Sequence, residues 1–68
     1  MKLSARNQLA GTVKEVHKGA AIANVVVDVG GQRIVSSITV EAAEELGLAD
    51  GSRVTVIVKA SDVILATE

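Results

Sequence analysis

The sequence contains no cysteine and no phenylalanine, tyrosine or tryptophan. Without cysteine the chain can form neither a disulfide nor a thiolate metal site, and its one histidine, His17, cannot hold a zinc ion alone. The aromatic side chains that usually supply much of the apolar area of a core are also missing. A domain of 68 residues with this composition lacks the usual sources of added stability.

An excess of charge of either sign is absent as well, because seven Lys and Arg residues stand against eight Asp and Glu residues, a net charge of −1. This balance gives no electrostatic reason to bind nucleic acid or an anionic membrane. No apolar run is long enough to span a bilayer, and the first residues, which include Lys2 and Arg6, do not resemble a signal peptide. We therefore expect a cytoplasmic protein with no nucleic-acid or membrane partner.

Hydrophobic residues are abundant, at 49% of the chain, and many of them are valine. A small apolar domain without disulfides, metals or aromatic residues can gain stability by burying surface against copies of itself. We expect one domain, residues 1–68, that assembles as a homo-oligomer.

Alternating apolar residues separated by glycine-containing turns predict a mainly β fold. Gly30 and Gly31 are typical of a two-residue hairpin turn. Strands are predicted at residues 8–17, 20–29, 32–39, 53–59 and 62–66.

One segment departs from the strand pattern. Thr39 can cap a short helix over residues 40–46, which Gly47 would end, with Leu46 on its inward face. Three strands, a helix and two further strands are the order of a five-stranded OB-like barrel with one short helix between strands 3 and 4. Because several strands carry apolar residues on both faces, we expect another subunit to cover the outer face.

Side chains suited to catalysis are sparse. His17 adjoins a Lys-Gly turn without an evident nucleophile or acid beside it, and no glycine signature of a phosphate-binding loop is present. We expect no enzyme activity. The absence of aromatic rings also removes the stacking that single-strand nucleic-acid binders use, which is worth roughly 1–3 kcal/mol per base.

Hydrogen-bond donors cluster at strand ends and at one turn. The three groups are Ser4, Arg6 and Asn7; Lys59 and Ser61; and the turn formed by Lys18, Gly19 and Ala20. These groups are poor in carboxylates, so they suit an oxyanion better than a metal cation, which would favour carboxylate, imidazole or thiolate ligands. Each group also has an ordinary structural interpretation as a solvated strand end or turn.

Two stretches, SARNQLAGTVKEVHKGA at residues 4–20 and ITVEAAEELGLADGSRVTVIVKAS at residues 38–61, resemble the molbindins. These are Mop-type molybdate-binding proteins of prokaryotes built on a TOBE or OB-like domain. The resemblance covers essentially the whole chain, and the pairing of SARN with VKAS is more specific than the barrel pattern. It implies an OB-like barrel that exchanges strands between subunits, a hexamer arranged as a trimer of dimers, and molybdate or tungstate as the bound ligand.

The resemblance also implies which residues contact the oxyanion. These are Ser4, Arg6, Lys59, Ala60 and Ser61. Ala60 and Ser61 would donate backbone N–H groups, Ser61 would add its hydroxyl, and Asn7 would help to hold the first segment. The turn at residues 18–20 is a candidate for the same or a second oxyanion site, whereas Glu45 stands where a cation would be expected from the helix.

A submicromolar ligand requires about −8 kcal/mol of binding free energy, and a hydrogen bond to a charged group contributes roughly 1.5–3 kcal/mol. On the order of five converging donors are therefore needed, more than the group at residues 4–6 holds. We expect that group to meet the group at residues 59–61 of another chain, in a protein for intracellular molybdenum storage or homeostasis. The alternatives are a structural oligomerisation module without a ligand and an oligonucleotide-binding OB-like barrel.

Overall fold

Alternating apolar and polar residues produce four β-strands in the computed structural model, which describes all residues from 1 to 68. The strands are β1 (Asn7–Lys18), β2 (Ile22–Val29), β3 (Gln32–Thr39) and β4 (Arg53–Val58), and the helix α1 (Val40–Glu45) connects β3 to β4. They form one antiparallel sheet in the order β3-β2-β1-β4, so β3 and β4 are its two edges. The prediction of a mainly β fold with one short helix after the third strand is confirmed.

The long first strand pairs with a different neighbour along each half of its length. Residues 7–12 of β1 pair with β4, and the residues from Thr12 onward pair with β2. The register shifts between Val13 and Glu15, which marks a bulge at Lys14. A bulge bends its strand and increases the local twist. The bend lets β1 pair with β4 along its first half and with β2 along its second half without keeping all the strands in one plane.

The turn between β2 and β3 forms as the glycine pair predicts. Gly30 and Gly31 both adopt positive φ angles, 56° and 85°, a region that side chains with a Cβ rarely occupy. Val29 pairs directly with Gln32, so the loop contains only these two residues. Positive φ at both central positions matches the twist of an antiparallel hairpin.

The helix begins at Val40, as the sequence predicts, and ends at Glu45, one residue before the predicted end at Leu46. The Thr39 hydroxyl accepts a 3.0 Å hydrogen bond from the Ala42 N–H and so satisfies one of the free donors of the first turn. Ala43 faces the sheet and is 1% exposed, but Leu46, expected on the same inward face, is 70% exposed. The expectation for Leu46 is wrong in the single chain because this residue lies over an open part of the sheet.

That open part is an apolar groove of about 190 Å³. Side chains from β2, β3 and β4 line it together with Leu46 and Leu48, and nine of its eleven lining residues are hydrophobic. The buried core beside it is small and centres on β2. It consists of Val13, Ala23, Val25, Val26, Val27 and Ala43.

The fifth strand predicted at residues 62–66 does not form within the single chain. Residues Ala60–Asp62 form a short 3-10 turn, and residues 63–68 belong to no strand. A strand exists only where a neighbouring backbone accepts and donates its hydrogen bonds, and the chain gives this segment no neighbour. The sheet is consequently open and four-stranded, and Ile64 and Leu65 remain 92% and 87% exposed. No helix of the fold has the length and apolar character needed to cross a membrane.

The close packing at Gly11 generates a test of this fold. A Cβ at this position would lie 2.6 Å from Val27 Cγ1 and 3.1 Å from the carbonyl oxygen of Asp28. An ordinary strand glycine gains stability on replacement by alanine, whereas Gly11→Ala should destabilise the fold by about 1–3 kcal/mol through overpacking. Denaturant unfolding at matched protein concentration measures the difference.

Ala10 provides the control because it is exposed on the same strand. Ala10→Val should change the free energy of unfolding by less than about 0.5 kcal/mol. A Gly11→Ala protein at least as stable as the wild type would contradict the observed approach of β1 to β2.

Candidate functional site

The pairing of β1 with β4 brings the SARN segment, residues 4–7, close to the VKAS segment, residues 58–61. The antiparallel register sets Asn7 opposite Val58 and Gln8 opposite Ile57. The residues that precede Asn7 and the residues that follow Val58 therefore leave the sheet at the same end. An open cavity of about 670 Å³ lies there, which we call the strand-end cavity. It is lined by Ser4, Ala5, Arg6, Ile57, Lys59, Ala60, Ser61 and Asp62.

The two donor groups already lie close together within one chain. The sequence predicts that the groups at residues 4–6 and 59–61 meet between different chains, and in the single chain both line the same cavity. The reason is the strand order, since β1 and β4 are far apart in sequence and adjacent in the sheet. A single chain thus assembles the two cations, Arg6 and Lys59, with the hydroxyls of Ser4 and Ser61.

The two cations of the cavity form no ion pair with a carboxylate. The one ion pair in the structure joins His17 to Glu15, and neither Arg6 nor Lys59 takes part in one. Both cations are exposed, as are Ser4 and Ser61. Exposed, unpaired donors of this type suit a ligand rich in acceptor oxygens, because charge-assisted hydrogen bonds are about twice as strong as neutral ones.

The short turn after β4 adds backbone donors. The Asp62 N–H donates to the Lys59 carbonyl at 2.8 Å, and the Val63 N–H donates to the Ala60 carbonyl at 3.2 Å. The first N–H groups of any helical turn are not used by the turn itself, and here they belong to Ala60 and Ser61. Both residues line the cavity.

The segment at residues 4–6 is held by a residue that the sequence did not single out. The Gln8 side-chain amide donates a 2.9 Å hydrogen bond to the Ala5 carbonyl and closes a local turn. Asn7, which was expected to hold this segment, makes no side-chain hydrogen bond; its backbone begins β1 instead. The available signal in the sequence was that the amide side chain of Gln8 follows the Ala5 carbonyl by three residues, a spacing that permits a local hydrogen bond.

The turn at Lys18, Gly19 and Ala20 lies at the opposite end of the twelve-residue β1 and does not reach the strand-end cavity. The Gly19 N–H of this turn donates a 2.8 Å hydrogen bond to the Ile22 carbonyl. Ala20 lines a different cavity of about 560 Å³, which includes the carboxylates of Glu41, Glu44 and Glu45. Within one chain this turn cannot contribute to the same site, and the acidic surroundings of Ala20 disfavour an anion there.

Two further residues complete the lining of the strand-end cavity. Ile57 is 41% exposed and lies on the opposite face of β4 from Val56 and Val58, as strand alternation predicts. Asp62 brings a carboxylate to a cavity otherwise rich in donors. No three His, Cys, Asp or Glu side chains that could hold a metal ion come together in the chain.

The comparison with known families covers almost the whole chain. The TOBE domain model matches residues 3–65. The chain is 44% identical over 66 residues to molybdenum-pterin-binding protein 2 of Clostridium pasteurianum, a match that spans 96% of this chain and 97% of that protein.

Two solved structures have closely similar folds. A molybdate-binding protein from Sporomusa ovata superimposes with a TM-score of 0.93 at 40% identity, over 98% of this chain and 100% of that one. The cytoplasmic molybdate-binding protein ModG, in a crystal form with molybdate bound, superimposes with a TM-score of 0.89 at 48% identity. That match covers 94% of this chain and 46% of ModG.

The Gln8 hydrogen bond predicts a local change in mobility. In Gln8→Ala the Ala5 carbonyl loses its partner, so the backbone order parameter at Arg6 should fall from about 0.85 toward 0.6 or below. Relaxation of the backbone ¹⁵N nuclei measures this change. Gln32→Ala, which removes an exposed glutamine at the far hairpin, should leave Arg6 unaffected, and equal order in both variants would refute a holding role for Gln8.

Proposed function

Because the chain belongs to the TOBE domain family, we propose that it binds molybdate, or the similar tungstate, reversibly in the strand-end cavity. The observation that carries the proposal is the convergence of Arg6 and Lys59, with two serine hydroxyls, on one cavity. The Sporomusa ovata protein and ModG, which share this fold at 40% and 48% identity, are both molybdate-binding proteins. Their ligand matches the chemistry of this cavity.

The residues proposed to contact the oxyanion provide several hydrogen-bond donors. Arg6 and Lys59 supply the positive charge, Ser4 and Ser61 supply hydroxyls, and the turn supplies the N–H groups of Ala60 and Ser61. At roughly 1.5–3 kcal/mol for each hydrogen bond to a charged group, five or six such contacts total about 8–18 kcal/mol, and the upper part of that range reaches the about −8 kcal/mol of a micromolar ligand after the cost of association. Asn7 contributes through the start of β1 and needs no direct contact.

We propose that the fifth strand of the barrel comes from a second copy of the chain. The two free sheet edges, β3 and β4, flank the apolar groove, and the exposed segment Val63, Ile64 and Leu65 has the apolar character to fill it. Exchange of this segment between copies would close the sheet into a five-stranded OB-like barrel and bury both surfaces. We propose, from the resemblance to the molbindins, that such dimers assemble further into a hexamer, a trimer of dimers.

Assembly would also complete the oxyanion site. The strand-end cavity is open, and its donors are exposed to water in one chain. A neighbouring subunit that covers the cavity would exclude water, and each hydrogen bond to the ion would strengthen in the lower dielectric. We therefore place the ligand at subunit interfaces, with the principal donors from one chain.

The proposed role is storage or homeostasis of molybdenum by a single domain, residues 1–68, in the cytoplasm. ModG, one of the structural relatives, is a cytoplasmic protein. The protein would bind and release the ion without chemical turnover, and it would need no nucleic-acid or membrane partner. Equilibration with molybdate, followed by dialysis and molybdenum analysis, tests this role; an assembled protein that retains no molybdenum would be a structural module instead.

Replacement of Arg6 tests the proposed ligand set. Arg6→Ala removes one of the two cations of the cavity, so the dissociation constant for molybdate should rise at least tenfold, which corresponds to about 1.4 kcal/mol. Titration calorimetry measures the affinity, and native mass spectrometry should report an unchanged subunit count.

The matched control is Arg33→Ala, because Arg33 lies in β3 and does not line the strand-end cavity. Its affinity for molybdate should stay within about twofold of the wild type. Equal affinities of Arg6→Ala and the wild type would remove Arg6 from the site.

Charges placed in the C-terminal segment test the proposed exchange. Consecutive strand residues point to opposite faces, so the double variant Ile64→Asp and Leu65→Asp introduces a carboxylate on both faces of the segment. Native mass spectrometry should then show dissociation of the oligomer into monomers, because each buried unpaired charge is strongly unfavourable. Thr67→Asp, two residues further along, is the control and should leave the assembly intact; an intact double variant would contradict strand exchange.

A further inference from the structure

Asp62 is the one carboxylate among the residues that line the strand-end cavity. Its position is fixed by the turn, since its own N–H donates to the Lys59 carbonyl at 2.8 Å. This bond holds the backbone of Asp62 close to the backbone of Lys59, which carries one of the two cations that line the cavity. An acidic side chain at such a position must influence any anion that enters the cavity.

The Asp62 side chain is not engaged by another group of the chain. It makes no side-chain hydrogen bond and no ion pair, in contrast to Thr39, whose hydroxyl caps the helix. The charged groups that share its cavity are Arg6, from the segment before β1, and Lys59, at the start of the same turn. Neither lies within ion-pair distance of its carboxylate.

We propose that Asp62 is a specificity-determining residue that sets the charge preference of the oxyanion site, an inference that rests on the proposed function. Two cations and one carboxylate leave the empty cavity with one net positive charge. A tetrahedral monoanion neutralises this charge, whereas a dianion leaves one negative charge in excess. Asp62 thus holds the affinity for dianions below the value that the donors alone would produce, and it favours release of the ion.

The electrostatic penalty from Asp62 depends on the charge of the ligand and not on its shape. Coulomb energy is proportional to the product of the charges, so a dianion is opposed twice as strongly as a monoanion at the same distance. Perrhenate and molybdate are both tetrahedral oxyanions of similar size, but the former carries one negative charge and the latter two. The pair separates an effect of charge from an effect of packing.

The test compares the binding of molybdate and perrhenate to the intact wild-type protein and to Asp62→Asn, an uncharged side chain of nearly the same size. Removal of the carboxylate should raise the affinity for molybdate by roughly tenfold and that for perrhenate by only about threefold. Titration calorimetry at low ionic strength gives both values. The gain for molybdate should shrink at high salt, because mobile ions screen exposed charges.

Two variants serve as controls. Asp62→Glu keeps the charge and should retain the wild-type ratio of the two affinities. Asp50→Asn removes a carboxylate at the other end of β4 from the cavity and preserves a favourable turn before Gly51, so it should change neither affinity by more than about twofold. Native mass spectrometry of every variant verifies that the same assembly is present.

Equal gains for both ions, or weaker molybdate binding in Asp62→Asn, would overturn the inference while leaving the proposed function in place. If Asp62→Asn does not fold, Asp62→Ser takes its place. A ratio of molybdate affinity to perrhenate affinity in Asp62→Ser equal to that of the wild type would also overturn the inference. A wild-type protein that binds neither ion would overturn the proposed function, and the inference with it.

Discussion

The antiparallel ladder between β1 and β4 is the interaction on which the candidate site depends. It sets Asn7 opposite Val58, and so it joins a segment near the N-terminus to one near residue 60 at a single end of the sheet. A slip of one residue would turn every side chain of the strand to the other face. The backbone hydrogen bonds of this ladder therefore determine which donors line the cavity, and Gln8, through its bond to Ala5, fixes the local course of the chain that leads into it.

The open sheet links ligand binding to assembly in the function proposed above. Only six residues are buried in one chain, Ile64 and Leu65 extend into solvent, and an apolar groove lies open between the two free sheet edges. The exposed segment begins directly after the turn that holds Lys59, Ser61 and Asp62. A neighbour that buries this segment would also immobilise the turn, because both belong to one continuous stretch of backbone. Binding and association would then stabilise each other by mass action.

Local signals predicted the elements that depend only on neighbouring residues. The paired glycines of the β2–β3 hairpin, the Thr39 cap and the alternation in β4 were all recognisable, because turn conformation and capping act over a few residues. The fifth strand is absent from the single chain for the opposite reason: residues 62–66 have the composition of a strand but no hydrogen-bonding partner within one chain. Leu46 is a similar case, since its apolar character indicated burial while the surface that would cover it is missing from one chain.

The amino-acid sequence by itself determined the chemistry of this protein: clusters of hydrogen-bond donors, balanced charge, no cysteine, a single histidine and a surplus of apolar side chains. Only the tertiary structure decided which of these groups meet. It united Arg6 with Lys59 in one chain, separated the turn at residues 18–20 from them by the length of β1, and added Asp62 to the cavity. The physical reason is that residue type is a local property, whereas proximity across a sheet follows from strand order and register, which arise from hydrogen bonds between distant parts of the chain.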